Sequence, residues 1–381
     1  MGVAMALPED MVREVLLRLP LKAAVRFRAV CRRWRAALSD PRFVAAHAAR
    51  SGPLLVAGAP YRRRDRSGHV DILSLAGDVV RRTRVEEGVV ELLTCGDLAC
   101  VVGTDARARV LHPATGDAAA VLPLDVAEEN KPWQGWRAEE RFHAAAYAFG
   151  RASSTGEYKV LRVVRFSPDQ RDEQAVEVLT LGAAARWTAR QPPPSHLAGT
   201  GMAVVAGVVH FLALQTHPPP SEHTGSIASF DLDTEQWRPL LHGPTPNLQQ
   251  DADPDPRPPL LSLTELKGFL VIAHRHRSQH QPWSRMDLWF LADSEEEIWV
   301  REYTIQVELS PRDFCAHPLL VLDERRIVLC ARPHGRVIVY DLETGRCRDR
   351  DLGVGECVEV GVYRECLLGS GSVVENEIRR S

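Results

Sequence analysis

The spacing of apolar residues changes once along the chain, at about residue 53. Between residues 7 and 47 the apolar side chains recur at three- and four-residue steps, as at Val12, Val15 and Leu19, which places them on one face of a helix. From about residue 53 onward, short apolar runs alternate with turn residues, which is typical of strands and hairpins. The pattern therefore predicts a small helical unit followed by a large β domain.

Proline residues divide the helical unit into three short helices. Pro8 stands at the start of the first helix, where its fixed φ is favourable, and Pro20 ends that helix because the residue before a proline avoids the α region. A second helix follows Pro20, and a third carries Val30, Cys31 and Trp34. A unit of this size is too small to enclose a core of its own. Its apolar faces therefore need a partner's surface, unless the unit is a cap on the larger domain.

The β region repeats two kinds of hairpin. An outer hairpin, with a turn of Asp/Pro-x-x-Thr-Gly/Glu type and often a Trp in its second strand, covers residues 72–80, 110–122, 178–187, 230–237, 288–299 and 339–347. An inner hairpin precedes most of these, at residues 89–103, 202–214, 260–273 and 319–330. One inner and one outer hairpin make a four-stranded sheet. Repetition at roughly 40–60 residues predicts an all-β propeller of about six blades.

One apolar strand remains unassigned at each end of the β region, at residues 53–58 and at residues 356–368. Each would leave an exposed sheet edge if it stayed alone. Joining both strands in one blade closes the ring and removes the two edges, so we expect them to pair.

The helical unit resembles the F-box, here in its plant-type form. The positions that match this motif are Leu7, Pro8, Leu16, Arg18, Leu19, Pro20, Lys22, Arg26, Phe27, Val30, Cys31, Trp34, Asp40, Pro41 and Phe43. Two departures, Ala23-Ala24 in place of the commoner Ser-Leu and Val25 before the arginine, exchange apolar volume and leave the pattern intact. The resemblance implies docking onto the Skp-type adaptor of a cullin–RING ubiquitin ligase.

Apolar faces of short helices are completed by the helices of a partner, which is the mode of binding that the resemblance implies. The expected adaptor-binding residues are Leu7, Pro8, Val12, Val15, Leu16, Leu19, Pro20, Val25, Val30, Cys31 and Trp34. The expected partners are the adaptor, the cullin and RING subunits reached through it, and a client protein that the sequence does not identify.

The β region is similar to the F-box-associated domain of plant F-box proteins, a kelch-like propeller. The matching pieces are HPATGD, GEYKVLRVV, GVVHFLAL, ASFDLDTEQW and LWFLADSEEEIWVREYTI, in that order. Together the two resemblances predict an α+β multi-domain protein with a three-helix F-box at residues 1–50, a substrate-recognition propeller at residues 51–372 and a polar tail at residues 373–381. They imply a substrate-recognition subunit that performs no bond chemistry itself.

The long segments of the β region fall between hairpins rather than within them, for example at residues 125–141 and 242–259; residues 151–156 are an exception. In a propeller such connections emerge on one face, so we expect a recognition surface there, although loops also simply tolerate insertions. Trp133, Trp136 and Trp283 are the residues expected to contact a client. The alternative for the first two is that they fold back over the propeller.

Composition limits the location and the class of partner. The net charge of −3 and the apolar positions between the arginines of residues 26–35 argue against a nucleic-acid footprint. No apolar run is long enough to span a bilayer, and no signal peptide is recognisable. The eight cysteines form no Cys-x-x-Cys pair, which favours a reducing compartment. We therefore expect a protein of the cytoplasm, the nucleus or both, with no membrane or nucleic-acid partner.

No catalytic motif stands out in the chain. Gly-rich phosphate loops, a Gly-x-Ser-x-Gly elbow and a His-Glu-x-x-His pair are all missing from the sequence. His274, His276 and His280 suggest a metal, but they lie in a loop without the carboxylate or Cys partner such sites use, so we expect neither metal nor cofactor. The competing hypotheses are a propeller enzyme with a helical cap and an F-box scaffold that acts outside the ligase.

Overall fold

The computed structural model describes residues 9–19, 21–40, 42–43, 46–47, 52–59, 68–113, 116–133, 144–166, 173–182, 185–213, 225–244, 260–276, 283–308, 315–332, 336–350 and 359–363. The N-terminal unit contains the helices α1 (Glu9–Leu17), α2 (Leu21–Phe27) and α3 (Arg32–Ser39). Cys31 lies in extended backbone and caps α3, because its Sγ accepts a hydrogen bond from the Trp34 amide at 3.4 Å. Asp40 starts a further helical turn by accepting hydrogen bonds from the Arg42 and Phe43 amides at 2.8 and 3.1 Å.

The helices enclose a small apolar cluster. Its buried members are Leu16, Leu17, Ala24, Leu38 and Phe43, with Val12, Leu19, Phe27, Trp34 and Ala46 packed against them. The rings of Phe27 and Trp34 meet at 5.3 Å between centroids. The prediction that the unit is too small to enclose a core of its own is therefore wrong: the unit has a core, although one of only a few side chains.

The rest of the described chain is β structure. In chain order the strands are β1 (Leu54–Ala59), β2 (Gly68–Leu73), β3 (Val79–Val85), β4 (Val89–Cys95), β5 (Leu98–Gly103), β6 (Ala108–Leu111), β7 (Ala118–Val121), β8 (Ala144–Arg151), β9 (Tyr158–Phe166), β10 (Glu173–Thr180), β11 (Thr188–Arg190), β12 (Leu197–Val205), β13 (Val208–Ala213), β14 (Ser226–Asp231), β15 (Gln236–Trp237), β16 (Leu241–His242), β17 (Leu260–Leu266), β18 (Phe269–Arg275), β19 (Trp283–Asp293), β20 (Ile298–Glu308), β21 (Cys315–Leu322), β22 (Arg326–Arg332), β23 (Arg336–Asp341), β24 (Cys347–Arg350) and β25 (Glu359–Tyr363). A 3₁₀ helix (Glu128–Trp133) lies between β7 and β8.

These strands form six antiparallel sheets, the blades of a propeller, which confirms the predicted blade count. From the innermost strand outward, blade 1 is β25-β1-β2-β3, blade 2 is β4–β7, blade 3 is β8–β11 and blade 4 is β12–β15, with β16 also pairing with β14. Blade 5 is β17–β20 and blade 6 is β21–β24. The innermost strands β25, β4, β8, β12, β17 and β21 each contact the next around the ring.

The ring is closed by strands from the two ends of the β region. Strand β25 pairs antiparallel with β1 from Leu54↔Tyr363 to Gly58↔Glu359, as the unassigned strands predicted. Gly361 lies so close to blade 2 that a Cβ there would stand 2.5 Å from the Thr94 Oγ1. The absence of a side chain at this position therefore lets the closing strand approach its neighbour.

Each of the six junctions between blades holds its own apolar cluster. Blade 1 packs against blade 2 around Ile72 and Leu92, and against blade 6 around Leu55 and Val328. The other four clusters join blades 2 and 3, 3 and 4, 4 and 5, and 5 and 6. The core is therefore a ring of inter-blade contacts, each formed by alternating strand residues.

The recurring turn motif of the outer hairpins has a local cause. Asp231, Asp293 and Asp341 each accept hydrogen bonds at Oδ1 from the backbone amides two and three residues further on. The chain then passes through a positive φ, at 55° for Glu235 and 65° for Gly345. Asp at the first position and a Gly or tolerated Glu at the fifth therefore specify this hairpin turn.

Among the described residues no helix is long and apolar enough to cross a lipid bilayer. The same residues contain no group of three or more His, Cys, Asp or Glu side chains arranged to hold a metal ion.

Candidate adaptor-docking helices and recognition face

The helical unit exposes large apolar side chains on two of its segments. Met11 and Val15, four residues apart on α1, are 55% and 56% exposed. Val30, in the turn that leads to α3, is 59% exposed. Exposed apolar side chains that recur at helical spacing are typical of a helix face that a partner covers.

The described residues among those predicted to bind an adaptor fall into three groups. Val15, Val30 and Cys31 are exposed, whereas Val12, Leu19 and Trp34 are partly buried against the unit's own cluster. Leu16 is 1% exposed and belongs to that cluster, so it supports the unit from within. The remaining predicted positions, Leu7, Pro8, Pro20 and the side chain of Val25, lie outside the described residues.

Met11 was missed by the sequence analysis. Its spacing of four residues from Val15 is the signal that could have found it. The surroundings of this apolar face are basic, since residues 9–47 hold nine Arg or Lys and four Asp or Glu. The charge favours a partner surface that is acidic around an apolar centre.

The propeller has two faces of different character, fixed by the strand order. In each four-stranded blade, the turns between the first and second strands and between the third and fourth strands lie on one face, here called the turn face. The connections between the second and third strands, and from one blade to the next, lie on the opposite face, here called the loop face. The long segments between hairpins that the sequence singled out connect strands on the loop face, whereas residues 151–156, the exception, join β8 and β9 on the turn face.

Side chains lock neighbouring blades together on the turn face. Asp233, in the outer turn of blade 4, accepts hydrogen bonds from the Ser153 and Ser154 amides of blade 3 at 3.0 and 2.9 Å. Glu235 lies between Lys159 and Arg190 of blade 3, at 2.7 Å from the Lys159 Nζ. These ionic contacts lower the pKa of Glu235, although burial alone would raise it. Side chains therefore cross-link blades 3 and 4 on the turn face.

The helical unit joins the propeller on the turn face. Strand β25 is the innermost strand of blade 1 and ends on that face, and its last residue, Tyr363, pairs with Leu54 at the start of β1. Six residues separate His47 from Leu54. A chain of that length spans at most roughly 25 Å, so the helical unit is tethered to the end of β1 that lies on the turn face.

On the loop face, one connection is held by a buried ion pair. Arg162 and Glu177 face each other across β9 and β10, with the Arg162 Nη2 2.6 Å from the Glu177 Oε2. Glu177 also accepts hydrogen bonds from the Ala127 amide at 2.9 Å and the Asn130 Nδ2 at 2.7 Å, and the Arg162 Nη2 donates to the Asp125 carbonyl at 2.6 Å. The ion pair thus fixes the segment that leads into the 3₁₀ helix.

The three tryptophans predicted to contact a client are only partly described. Trp133 ends the 3₁₀ helix and Trp283 begins β19 at the loop face, where its backbone pairs with Glu308. The side chains of both residues, and all of Trp136, lie outside the described residues. Their role as client contacts stays a prediction.

Three other tryptophans have a role that the sequence analysis did not assign. Trp187, Trp237 and Trp299 each donate their indole N–H to a backbone carbonyl of the preceding blade's end. The acceptors are Pro123, Gln191 and His242, at 2.8, 2.9 and 2.8 Å. The Trp that recurs in the outer hairpins therefore links successive blades. Its recurrence at the same place in the hairpin is the signal for this role in the sequence.

Of the three histidines considered as metal ligands, His276 takes part in an ion-pair network in blade 5. The His276 Nε2 lies 2.7 Å from the buried carboxylate of Asp287, which also accepts hydrogen bonds from Thr304 and Arg285. Burial alone would raise the pKa of Asp287, but these hydrogen bonds outweigh it and hold the pKa below its ordinary range. The ring of His274 lies tilted against that of His276, at 4.3 Å between centroids, and His280 lies outside the described residues.

Comparison with known families decides the assignment. Residues 103–359 match the F-box associated beta propeller domain, and residues 5–45 match the F-box domain. The chain belongs to the F-box-associated β-propeller family. The exposed helical face therefore lies in an F-box, and the propeller with its two faces is the associated domain.

The similar proteins are F-box proteins of Arabidopsis thaliana. An F-box/kelch-repeat protein is 23% identical over 298 residues, which cover 77% of this chain and 64% of that protein, a little under two thirds of its length. A putative F-box protein is 22% identical over 391 residues, which cover 96% of this chain and 89% of that protein. An F-box protein is 46% identical over 50 residues, which cover 13% and 14% of the two chains.

Proposed function

We propose that this protein is the substrate-recognition subunit of a Skp–cullin–F-box ubiquitin ligase. The observation that carries the proposal is a set of exposed apolar side chains on the F-box, Met11, Val15 and Val30, on a unit joined to a closed propeller. The F-box docks onto a Skp-type adaptor, and through it the cullin and RING subunits assemble. The protein catalyses no bond change itself; it accelerates transfer by holding a client near the activated ubiquitin.

The arrangement of the two faces supports a division of labour. The F-box joins the propeller on the turn face, and the long connections open on the loop face. We infer that the client binds the loop face, on the side away from the adaptor, and that Trp133, Trp136 and Trp283 contribute to that contact. A ligase of this kind works in the cytoplasm, the nucleus or both, as its cysteine usage favours.

Co-purification with a Skp-type adaptor tests the docking. Val15→Asp and Val30→Asp each place a charge in the apolar centre of the contact, so we expect the affinity for the adaptor to fall at least roughly tenfold. The matched controls are Val121→Asp and Val80→Asp, the same change at propeller valines that are 55% and 58% exposed. Leu16→Asp is unsuitable because it also destroys the F-box core. Unchanged affinity in the Val15 and Val30 variants would refute this docking surface.

Reconstitution separates the ligase from the two competing hypotheses. The full chain, mixed with adaptor, cullin, RING subunit, ubiquitin and its activating and conjugating enzymes, should support assembly of ubiquitin chains that depends on Val15. A scaffold outside the ligase would bind the adaptor but leave cullin unrecruited in the same mixture. The activity of a propeller enzyme would be unchanged by Val15→Asp, because Val15 belongs to the helical unit that precedes the propeller in the chain.

A further inference from the structure

The large apolar side chains that are exposed in the described part of the chain fall into four groups. One group is on the F-box, and two lie toward the turn face of the propeller, at the start of β3 and on blade 5. The fourth group lies on the loop face and consists of Val90, Val121 and Leu124, which are 53%, 55% and 42% exposed. The described part of the loop face therefore exposes large apolar side chains at one blade, blade 2.

The strand order brings these three residues to the same end of blade 2. Val90 lies near the start of β4, which the chain enters from blade 1. Val121 is the last residue of β7, and Leu124 follows it in the connection to blade 3. Neighbouring strands lie about 4.8 Å apart, so the four strands present this end of the blade over roughly 15 Å. The surface is here called the blade 2 edge and comprises residues 86–90, 104–109 and 121–131.

The connection that carries Leu124 is fixed to blade 3 by its backbone. Within residues 123–127, two carbonyls accept hydrogen bonds from Trp187 and Arg162 of blade 3, at 2.8 and 2.6 Å. One amide in the same stretch donates to Glu177, also of blade 3, at 2.9 Å. A loop that only tolerates insertions needs no such bonds, whereas a binding surface gains affinity when its support is held in place before the partner arrives.

The charged residues of the blade 2 edge are mainly acidic. The acids are Glu86, Glu87, Asp105, Asp125, Glu128 and Glu129, and the bases are Arg107, Arg109 and Lys131. Each base lies within ion-pair distance of Asp105 or Glu128, and the six acids leave the edge with a net charge of −3. Arg109 pairs with Val121 across β6 and β7, so the charged and the apolar residues are neighbours. The edge thus complements a partner that is basic around an apolar side chain.

From this surface we propose that the blade 2 edge binds the client, and that it takes a protein segment in which Lys or Arg side chains flank an apolar one. The inference rests on the proposed function and adds to it the sector of the loop face and the chemistry of the client. Val121 and Leu124 provide the apolar contact, which supplies most of the affinity. The acids around them pair with the flanking cations, which speeds encounter and disfavours acidic segments.

The test uses a phage library of short random peptides, selected on the purified full chain. We expect the enriched peptides to carry Lys or Arg beside Leu, Ile, Phe or Trp. The affinity of an enriched peptide, measured by titration calorimetry, should fall at least about tenfold in Leu124→Asp, because a charge then stands in the apolar contact. It should also fall in Glu129→Lys, which reverses a charge, and should weaken as salt is added.

The matched controls make the same changes on blade 5, toward the turn face. Val300→Asp replaces an apolar side chain that is 49% exposed, and Glu302→Lys replaces an acidic one that is 39% exposed. Both should leave the affinity for the peptide unchanged. All four substituted side chains are exposed, so the variants should unfold at nearly the temperature of the unaltered chain, which thermal unfolding verifies.

The outcomes separate this inference from the proposed function. Enriched peptides that are acidic, or that bind Leu124→Asp as tightly as the unaltered chain, would overturn the assignment of the blade 2 edge. A selection that yields no peptide dependent on Leu124 would overturn it as well, as would equal losses in Leu124→Asp and Val300→Asp. A chain that binds such peptides at this edge but recruits neither adaptor nor cullin would instead refute the ligase function.

Discussion

The F-box and the propeller complete their apolar surfaces in different ways. The propeller has a cluster at each of its six blade junctions, and its C-terminal strand closes the ring from within. The F-box buries five side chains and leaves Met11, Val15 and Val30 more than half exposed. The propeller thus supplies the strand that closes it, whereas the F-box leaves apolar side chains exposed, as the proposed docking to an adaptor requires. Loss of a strand should therefore damage the propeller, and charges placed on the exposed apolar side chains should damage the docking of the F-box.

Removal of residues 359–381 takes away β25 and leaves the ring open, so we expect it to reduce stability more than any other change. Val360 and Tyr363 are almost fully buried, and burying one such side chain stabilises a protein by about 1.5–3 kcal/mol. With the strand's backbone pairing also lost, we expect a cost of about 5 kcal/mol or more, a large part of a domain's stability. Calorimetry should show no cooperative transition. Truncation after residue 372 is the control, and an unchanged transition in both would contradict the closure.

Glu177→Ala tests the core of the propeller at one junction. The variant leaves the Arg162 guanidinium buried without its carboxylate, which should cost about 3–5 kcal/mol in urea denaturation. Glu302→Ala removes a partner of Lys267 at the surface and should cost no more than about 1 kcal/mol. Similar losses in the two variants would mean that the Arg162 site is hydrated and not part of the core.

A pair of adjacent residues sharpens the distinction inside the F-box. Leu16→Ala removes a side chain from the unit's own cluster and should destabilise it by about 2–5 kcal/mol. Val15→Ala changes an exposed side chain and should alter stability by no more than about 0.5 kcal/mol. Hydrogen exchange of the F-box amides, with and without adaptor, measures both. The assignment fails if Val15→Ala loosens the free F-box as much as Leu16→Ala does.

The smallest expected effect concerns the ties between blades. Trp187→Phe keeps one aromatic ring but loses the rest of the indole and its hydrogen bond to the Pro123 carbonyl, and the loss of this bond alone should cost about 1 kcal/mol. Trp237→Phe and Trp299→Phe remove the equivalent bonds at the next junctions and should cost similar amounts in thermal unfolding. A markedly larger loss at one junction would show that the ties are not equivalent.

Much of the fold follows from local patterns in the chain. The Asp-x-x-Thr-Glu/Gly turns, such as that from Asp231 to Glu235, specify their own geometry, so the hairpins are predictable one at a time. The closing pair β1 and β25 was predictable because two unpaired strands would have left open edges.

The site was harder to predict because it depends on tertiary neighbours. The same helical spacing places Val15 outward and Leu16 inward, and the spacing alone does not say which side a partner covers. The Arg162–Glu177 pair joins residues on two strands to a connection some fifty residues earlier in the chain, at Ala127. No pattern within a short window signals such a contact.

The pairing of Leu54 with Tyr363 also has a consequence for biosynthesis. The ribosome adds 309 residues between these two positions, which takes roughly 15–60 s at typical rates of translation. Throughout that time the nascent propeller is an open arc with β1 unpaired on its inner side. The F-box is made first, so the proposed docking to an adaptor can begin while the arc is still growing. The nascent chain is therefore open to aggregation and to chaperone binding until β25 has left the ribosome.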